Sequence, residues 1–248
     1  HGEEVRWCLG MGHPNACHCM AAMLLILFLY LYDRKMKPAG YAALFAANAG
    51  LFVLTKSNTG FVIAAAAVLL YAHLHYNERI RAGRAVYRAG NAVFAAGLFF
   101  SAAAAVVRPD SSPILQLADR ALTGRMASLW DTTFYDGTLG TWHMFGSRLN
   151  QVYFDMGWLR LIYWYGVIPA AAVLCLVCAL LFITGKRKDY AAYILVLLCC
   201  LYTVPEAHLV SVYIGRNFVL MLGALYAPLV ERGSTAGTAA GLCAERSA

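Results

Sequence analysis

Seven apolar segments, each bounded by polar loops, constrain this chain more than any other feature. They cover residues 16–32, 39–55, 59–76, 90–107, 157–184, 190–204 and 208–230. A helix needs about 20 apolar residues to cross the hydrocarbon core. The sixth segment is short and the fifth long, but the set reads as helices that traverse a bilayer. Composition agrees: 61% of the 248 residues are hydrophobic and 13% charged, and mean hydropathy is +0.59. Soluble domains carry about twice that share of charge. A soluble globule, a disordered chain and a small disulfide scaffold are excluded. The expected fold is an all-α polytopic membrane protein of about seven transmembrane helices, with one large external loop containing an amphipathic helix.

The connecting loops sort by charge. Arg34, Lys35 and Lys37 follow the first segment, and Arg79, Arg81, Arg84 and Arg88 follow the third. Lys186, Arg187 and Lys188 follow the fifth, and Arg232 and Arg246 lie beyond the seventh. These are twelve of the twenty Lys and Arg residues, and the positive-inside rule makes their side cytoplasmic. The net charge of +7 is thus read as sorting across a bilayer and not as nucleic-acid binding. The other side receives loops 55–59, 108–155 and 205–207, together with the N-terminal segment. Residues 1–230 are read as one membrane-embedded domain whose external loop covers about 108–157. Residues 231–248 are small and polar, and are expected to form a disordered cytoplasmic tail. The polar opening at His1 carries no basic run ahead of a short apolar core, so no signal peptide is expected. It suggests an N-terminally truncated portion of a longer protein.

The external loop holds the chemistry. Ile114, Leu117, Leu122, Met126, Leu129 and Trp130 approximate helical spacing, which predicts an amphipathic helix on the outer surface. The loop's cations are Arg108, Arg120, Arg125 and Arg148, with no Lys. Guanidinium forks take phosphate oxygens in pairs, so a lipid-linked phosphate or diphosphate is one reading. Pairing with Asp110, Asp119, Asp131, Asp136 and Asp155 is the other. Glu206 sits at the outer end of the sixth segment beside His208, and Arg216-Asn217 lies well inside the seventh. Charges so placed face a partner or a cavity, and a Glu206–Arg216 ion pair is the structural alternative. His13, Cys17, His18 and Cys19 lack a second ligand set at zinc spacing. Cys175, Cys178, Cys199 and Cys200 read as packing residues; Cys8, Cys17 and Cys19 leave a disulfide open.

Several stretches, in order, resemble the O-antigen ligase and polysaccharide polymerase superfamily. Leu122-Thr123-Gly124-Arg125 with Trp130 is similar to the LTGR…W signature that opens that family's external loop. Met144-Phe145-Gly146, the run from Tyr153 to Leu159, and Tyr165-Gly166-Val167-Ile168 resemble its passage into the next span. Leu9 to Asn15, ending in His13-Pro14-Asn15, is similar to the HPN stretch of capsular polymerases of Gram-positive bacteria. Glu206 followed by Asn217 resembles the closing E…N pattern. One departure stands in Thr55-Lys56-Ser57-Asn58-Thr59-Gly60, where Asn58 occupies the place of the family's Arg. A role for this loop then depends on Lys56 substituting.

The resemblance implies a multi-pass protein of the bacterial plasma (inner) membrane, with its large loop external or periplasmic and its C-terminus cytoplasmic. The implied enzyme is a metal-independent glycosyltransferase of capsule and cell-envelope polysaccharide biosynthesis, needing no cofactor. It would join undecaprenyl-diphosphate-linked oligosaccharide repeats into a surface polysaccharide, with the lipid diphosphate leaving. Arg125 is the leading diphosphate ligand, with Arg148, Arg216 or Arg6 as the second cation. His143 and Glu206 are the candidate catalytic bases, with His13 behind them. His13, Asn15, Asp155 and Asn217 are sugar-binding or structural. The expected partners are that lipid-linked glycan, the bilayer and other polysaccharide-assembly membrane proteins, with no nucleic acid. Two alternatives stay open. One is a ligase that moves a finished glycan to a terminal acceptor. The other is a non-enzymatic transporter or flippase, although a transporter would more often place its polar residues mid-span.

Overall fold

The structure, a computed structural model, describes residues 7–10, 13–132, 138–150 and 152–207. Among them every regular element is helical. The first three long helices are α1 (Pro14–Tyr32), α2 (Pro38–Thr55) and α3 (Asn58–Tyr76). A short α4 (Glu78–Ala82) leads to α5 (Arg84–Val106), and the outer loop carries α6 (Pro113–Ala121) and α7 (Arg125–Thr132). The chain then forms α8 (Gly157–Tyr165), α9 (Val167–Arg187) and α10 (Tyr190–Tyr202). Local chemistry sets the starts. Pro14 and Pro38 open α1 and α2, where a missing N–H costs nothing. Ser57 and Asp189 cap α3 and α10 by accepting from Gly60 N and Ala192 N.

Among the described residues five helices are long and apolar enough to cross a membrane: α1 extended to Lys35, α2, α3, α5 and α9. Their outward faces carry large hydrophobics, such as Phe99 on α5 at 77% exposure and Phe182 on α9 at 66%. Water would not tolerate a surface of that kind over five helices, and hydrocarbon does. This is an all-α membrane protein.

The last three apolar segments depart from expectation or fall outside the described residues. The fifth apolar segment is not one helix, because Gly166 breaks it at φ +93° between α8 and α9. A Cβ there would lie 2.7 Å from the Met144 carbonyl and closer still to the Phe145 backbone, so only glycine fits. The sixth segment becomes α10, with 13 residues and a rise of about 20 Å, which is short of a bilayer core. All but two of its side chains are buried: it packs on α9, α3, α5 and α1 and is surrounded by protein. The seventh segment and the tail lie outside the described residues.

The amphipathic helix of the outer loop is two helices. Thr123 and Gly124 adopt left-handed backbone at φ +58° and +79°, which ends α6 after Ala121. Asp119 bridges the break, its carbonyl taking Gly124 N at 2.8 Å and its carboxylate taking Met126 N at 2.7 Å. The apolar set divides accordingly. Ile114 and Leu117 of α6 are exposed, whereas Met126, Leu129 and Trp130 of α7 are buried. Met126 and Leu129 pack with Ala104, Phe154, Met156 and Leu159, fastening the outer loop to α5 and α8.

Side-chain bonds sort the helix ends. At one end Asp33 is buried and accepts from the Tyr41 and Tyr190 hydroxyls, with His75 Nδ1 at 3.4 Å. That links the loops after α1, α3 and α9. The other end gathers the loops after α2, α5 and α10.

Candidate functional site

At this second end, five segments far apart in sequence meet. His13 caps α1 by accepting from Asn15 N at 3.3 Å, which sets Asn15 in the first turn. The Asn15 amide donates to Glu206 Oε1 at 2.9 Å, and its carbonyl accepts the Ser57 hydroxyl at 2.6 Å. Ser57 sits in the tight α2–α3 turn, where Lys56 takes a left-handed conformation at φ +52°. Glu206, three residues past the end cap of α10, is 4% exposed. Arg125 opens α7 because of the Thr123-Gly124 break, and its Nη1 donates to Leu122 O and Thr123 Oγ1, each at 3.2 Å. Its Nη2 pairs with the Glu206 carboxylate, and its Nε lies 3.4 Å from Asp155 Oδ2. The Nε contact is an ion-pair distance without a well-directed hydrogen bond.

These groups surround a cavity of about 270 Å³ lined by His13, Asn15, Lys56, Ser57, Thr123, Arg125 and Asp155, among others. Glu206 lies behind the wall, held by Arg125 and Asn15. Burial raises its carboxyl above the ordinary carboxylate range, helped by Asp155; Arg125, Asn15 and Thr59 oppose the shift without cancelling it. A carboxyl with a raised pKa is better matched to proton transfer near neutral pH than an ordinary one.

Polar groups within the helices support this wall from behind. His18, fully buried on α1, bridges Thr55 Oγ1 at 2.8 Å and Asn48 Oδ1 at 2.9 Å. Nε2 donates to the Asn48 carbonyl oxygen, while Nδ1 faces Thr55 Oγ1, whose own proton goes to Leu51 O at 2.9 Å. Asn48 in turn donates to Phe61 O at 3.1 Å, and Ser57 N lies 3.4 Å from Thr55 Oγ1. Gly60 leaves room for the ring, since a Cβ there would stand 2.8 Å from His18 Cβ. His18→Leu is expected to cost about 1–2 kcal/mol by leaving the buried Asn48 carbonyl oxygen without its donor, read as lowered thermal stability in detergent. On the opposite side Arg160 is fully buried, with its guanidinium 3.1 Å from the Tyr153 ring centroid and 4.0 Å from that of Trp164. Its Nη1 donates to Phe154 O at 3.0 Å, which fixes the turn that carries Asp155.

The structure thus brings together Arg125, Glu206, Asn15, His13 and Asp155. It does not bring His143 or Arg148 to the cavity: both are exposed, and His143 accepts Val167 N on its backbone carbonyl beside the Gly166 break. Arg6, Arg216 and Asn217 lie outside the described residues, so the partner seen for Glu206 is Arg125. Ser57, Thr123, His18 and Arg160 were not legible as site residues. The one available signal was the TKSNTG loop, where Lys56 stands at the cavity.

Fold and site together define a helical membrane protein with a buried Arg–carboxylate centre at one end of its bundle. Comparison with family models, with curated proteins and with solved structures gives no match for this chain.

Proposed function

We propose that the protein is a membrane glycosyltransferase of the polysaccharide-polymerase type, using a lipid-diphosphate-linked oligosaccharide as donor. The observation that carries this reading is the convergence of Asn15, Lys56, Arg125 and Asp155 on one cavity, with Glu206 bonded to Arg125 and Asn15 behind its wall. Those residues come from the stretches that resemble the superfamily, including the loop whose role rested on Lys56.

In this reading an acceptor hydroxyl oxygen attacks the anomeric carbon of the donor sugar. The bond from that carbon to the diphosphate oxygen breaks, and its electron pair leaves with the lipid diphosphate. Arg125 and Lys56 are the cations at the cavity, and charge gathering on the leaving oxygen favours donors already fixed in place. At rest Arg125 is shared between Glu206 and Asp155. A diphosphate competing for the guanidinium frees Glu206, and the freed carboxylate accepts the proton of the attacking hydroxyl. Binding of the donor therefore produces the base, and the resting ion pair protects the site when it is empty. His143, exposed and away from the cavity, is not assigned this role. The end of the bundle carrying the cavity faces outward by the charge sorting of the loops.

The test is disruption of the full-length gene in its own bacterium, with the surface polysaccharide sized on a gel. Complementation follows with wild type, Arg125→Ala and Glu206→Gln, the last chosen because it keeps an acceptor oxygen for Asn15. A polymerase gives collapse to single repeats that neither variant rescues. Long chains retained on the lipid carrier would place the protein with the ligases instead. An unchanged ladder, or full rescue by Glu206→Gln, would sink the assigned chemistry.

A further inference from the structure

We propose that the cleft between the start of α5 and the end of α9 binds the headgroup of one anionic phospholipid. This inference does not depend on the transfer reaction, since the cleft lies at the opposite end of the bundle from the Arg125–Glu206 centre. It has a volume of about 320 Å³, and its charged lining is Arg84, Arg88, Lys186 and Lys188, with no carboxylate. Among the described residues none of the four forms an ion pair. The neighbouring cleft at the same end is different in kind. There Arg34, Arg81 and Lys188 face Glu78 and Asp189, and Arg81 is tied to Glu78 at 3.0 Å.

Backbone and shape add to the charge. Gly83, which precedes α5, provides no side-chain cap, so the first-turn N–H groups of a 23-residue helix stay open to an anion. The last carbonyls of α9 are engaged, Gly185 O by Lys188 N at 3.2 Å and Thr184 O by Asp189 N at 3.0 Å. Negative backbone ends therefore do not offset the cations. Asn91 adds a polar wall, its carbonyl oxygen already accepting the Tyr193 hydroxyl at 2.8 Å.

The remaining wall selects lipid over a soluble phosphate. Leu181 and Phe182 continue the cleft along α9, and Phe182 is 66% exposed on a membrane-spanning helix. A phosphodiester seated on the four cations would have its acyl chains along that apolar face. Free phosphate would gain nothing from it. Basic pockets between membrane helices near the interface commonly take anionic headgroups.

The experiment is native mass spectrometry of the full chain in detergent, titrated with phosphatidylglycerol and, in parallel, phosphatidylcholine. One phosphatidylglycerol is expected to bind at least about tenfold better than phosphatidylcholine. Affinity should fall about fivefold per cation removed in Arg84→Gln/Arg88→Gln, and likewise in Lys186→Gln/Lys188→Gln. All four residues are exposed, so the fold should survive, as a monodisperse elution profile would verify. Phe182→Ser should weaken the lipid, and millimolar inorganic phosphate should not displace it. Equal affinity for the two lipids would overturn the proposal. So would an equal loss in the control Arg34→Gln/Lys35→Gln, or complete displacement by inorganic phosphate, which would mark a site for soluble anions.

Discussion

Arg125→Met is expected to destabilise the protein by about 3–5 kcal/mol, and the double change Arg125→Met/Glu206→Met to recover most of that loss. The side chains are 10% and 5% exposed. Removing one partner leaves a buried charge uncompensated, whereas replacing both with apolar groups of similar size is often neutral. Thermal unfolding in detergent reads both, and transfer activity should be absent from both, which separates stability from chemistry. The single variant also carries a pH signature. Without the guanidinium, burial and Asp155 act on Glu206 against only the Asn15 and Thr59 hydrogen bonds, and its folded-state pKa rises further above the unfolded value of about 4.3. A group raised in this way contributes stability that is fully present below the unfolded pKa and lost as pH climbs through the folded one. The deficit of Arg125→Met should therefore be small near pH 4–5 and grow toward pH 8. A deficit of the same size across that range would mean that the damage comes from lost packing and not from a stranded carboxylate.

Helix character was legible in the sequence because a bilayer imposes length and apolarity together. The first four apolar segments match α1, α2, α3 and α5 to within a few residues, with α5 starting earlier, at Arg84. The departures have local causes. Gly166 looks harmless within an apolar run, yet its left-handed backbone and the approach of residues 144–145 divide that run in two. The length of α10 was readable, but not that its neighbours would enclose it. Hydropathy reports how apolar a segment is; it is silent on whether protein or lipid surrounds it. In the outer loop, spacing merged α6 and α7 because Thr123 and Gly124 fall where a continuous helix would place them.

The site was legible residue by residue but not as a pairing. Glu206 and Arg125 each stood out, as a charge at the edge of an apolar segment and as the cation of a motif. Their contact spans 81 residues, and no local pattern encodes it. Ser57 and His18 were invisible for a related reason: hydroxyl and imidazole groups gain a role only from what folding sets beside them. In sequence His18 stands among His13, Cys17 and Cys19 at no metal-binding spacing, and the structure gives it two side-chain partners on α2.

Gly157→Ala should be among the most damaging single changes, at about 3 kcal/mol or more, although it adds only one methyl group. Gly157 is the first residue of α8, and a Cβ there would run into the Glu206 carbonyl and lie 2.7 Å from that of Thr203. Both obstacles are backbone at the end of α10, so no side-chain rotation relieves them, and overpacked sites of this kind cost about 1–3 kcal/mol, occasionally more. The methyl can be accommodated only by moving α8 away from the α10 terminus, which carries Glu206 away from Arg125 and Asn15. Gly50→Ala on α2 is the matched control: nothing stands within 4 Å of its Cβ position, and the better helix former should add up to about 1 kcal/mol. Opposite signs for the two variants in thermal unfolding, with activity lost in Gly157→Ala alone, are the expected result. A Gly157→Ala protein as stable and active as wild type would show that α8 does not abut the Glu206 turn, and the geometry assigned to the Arg125–Glu206 centre would fall with it.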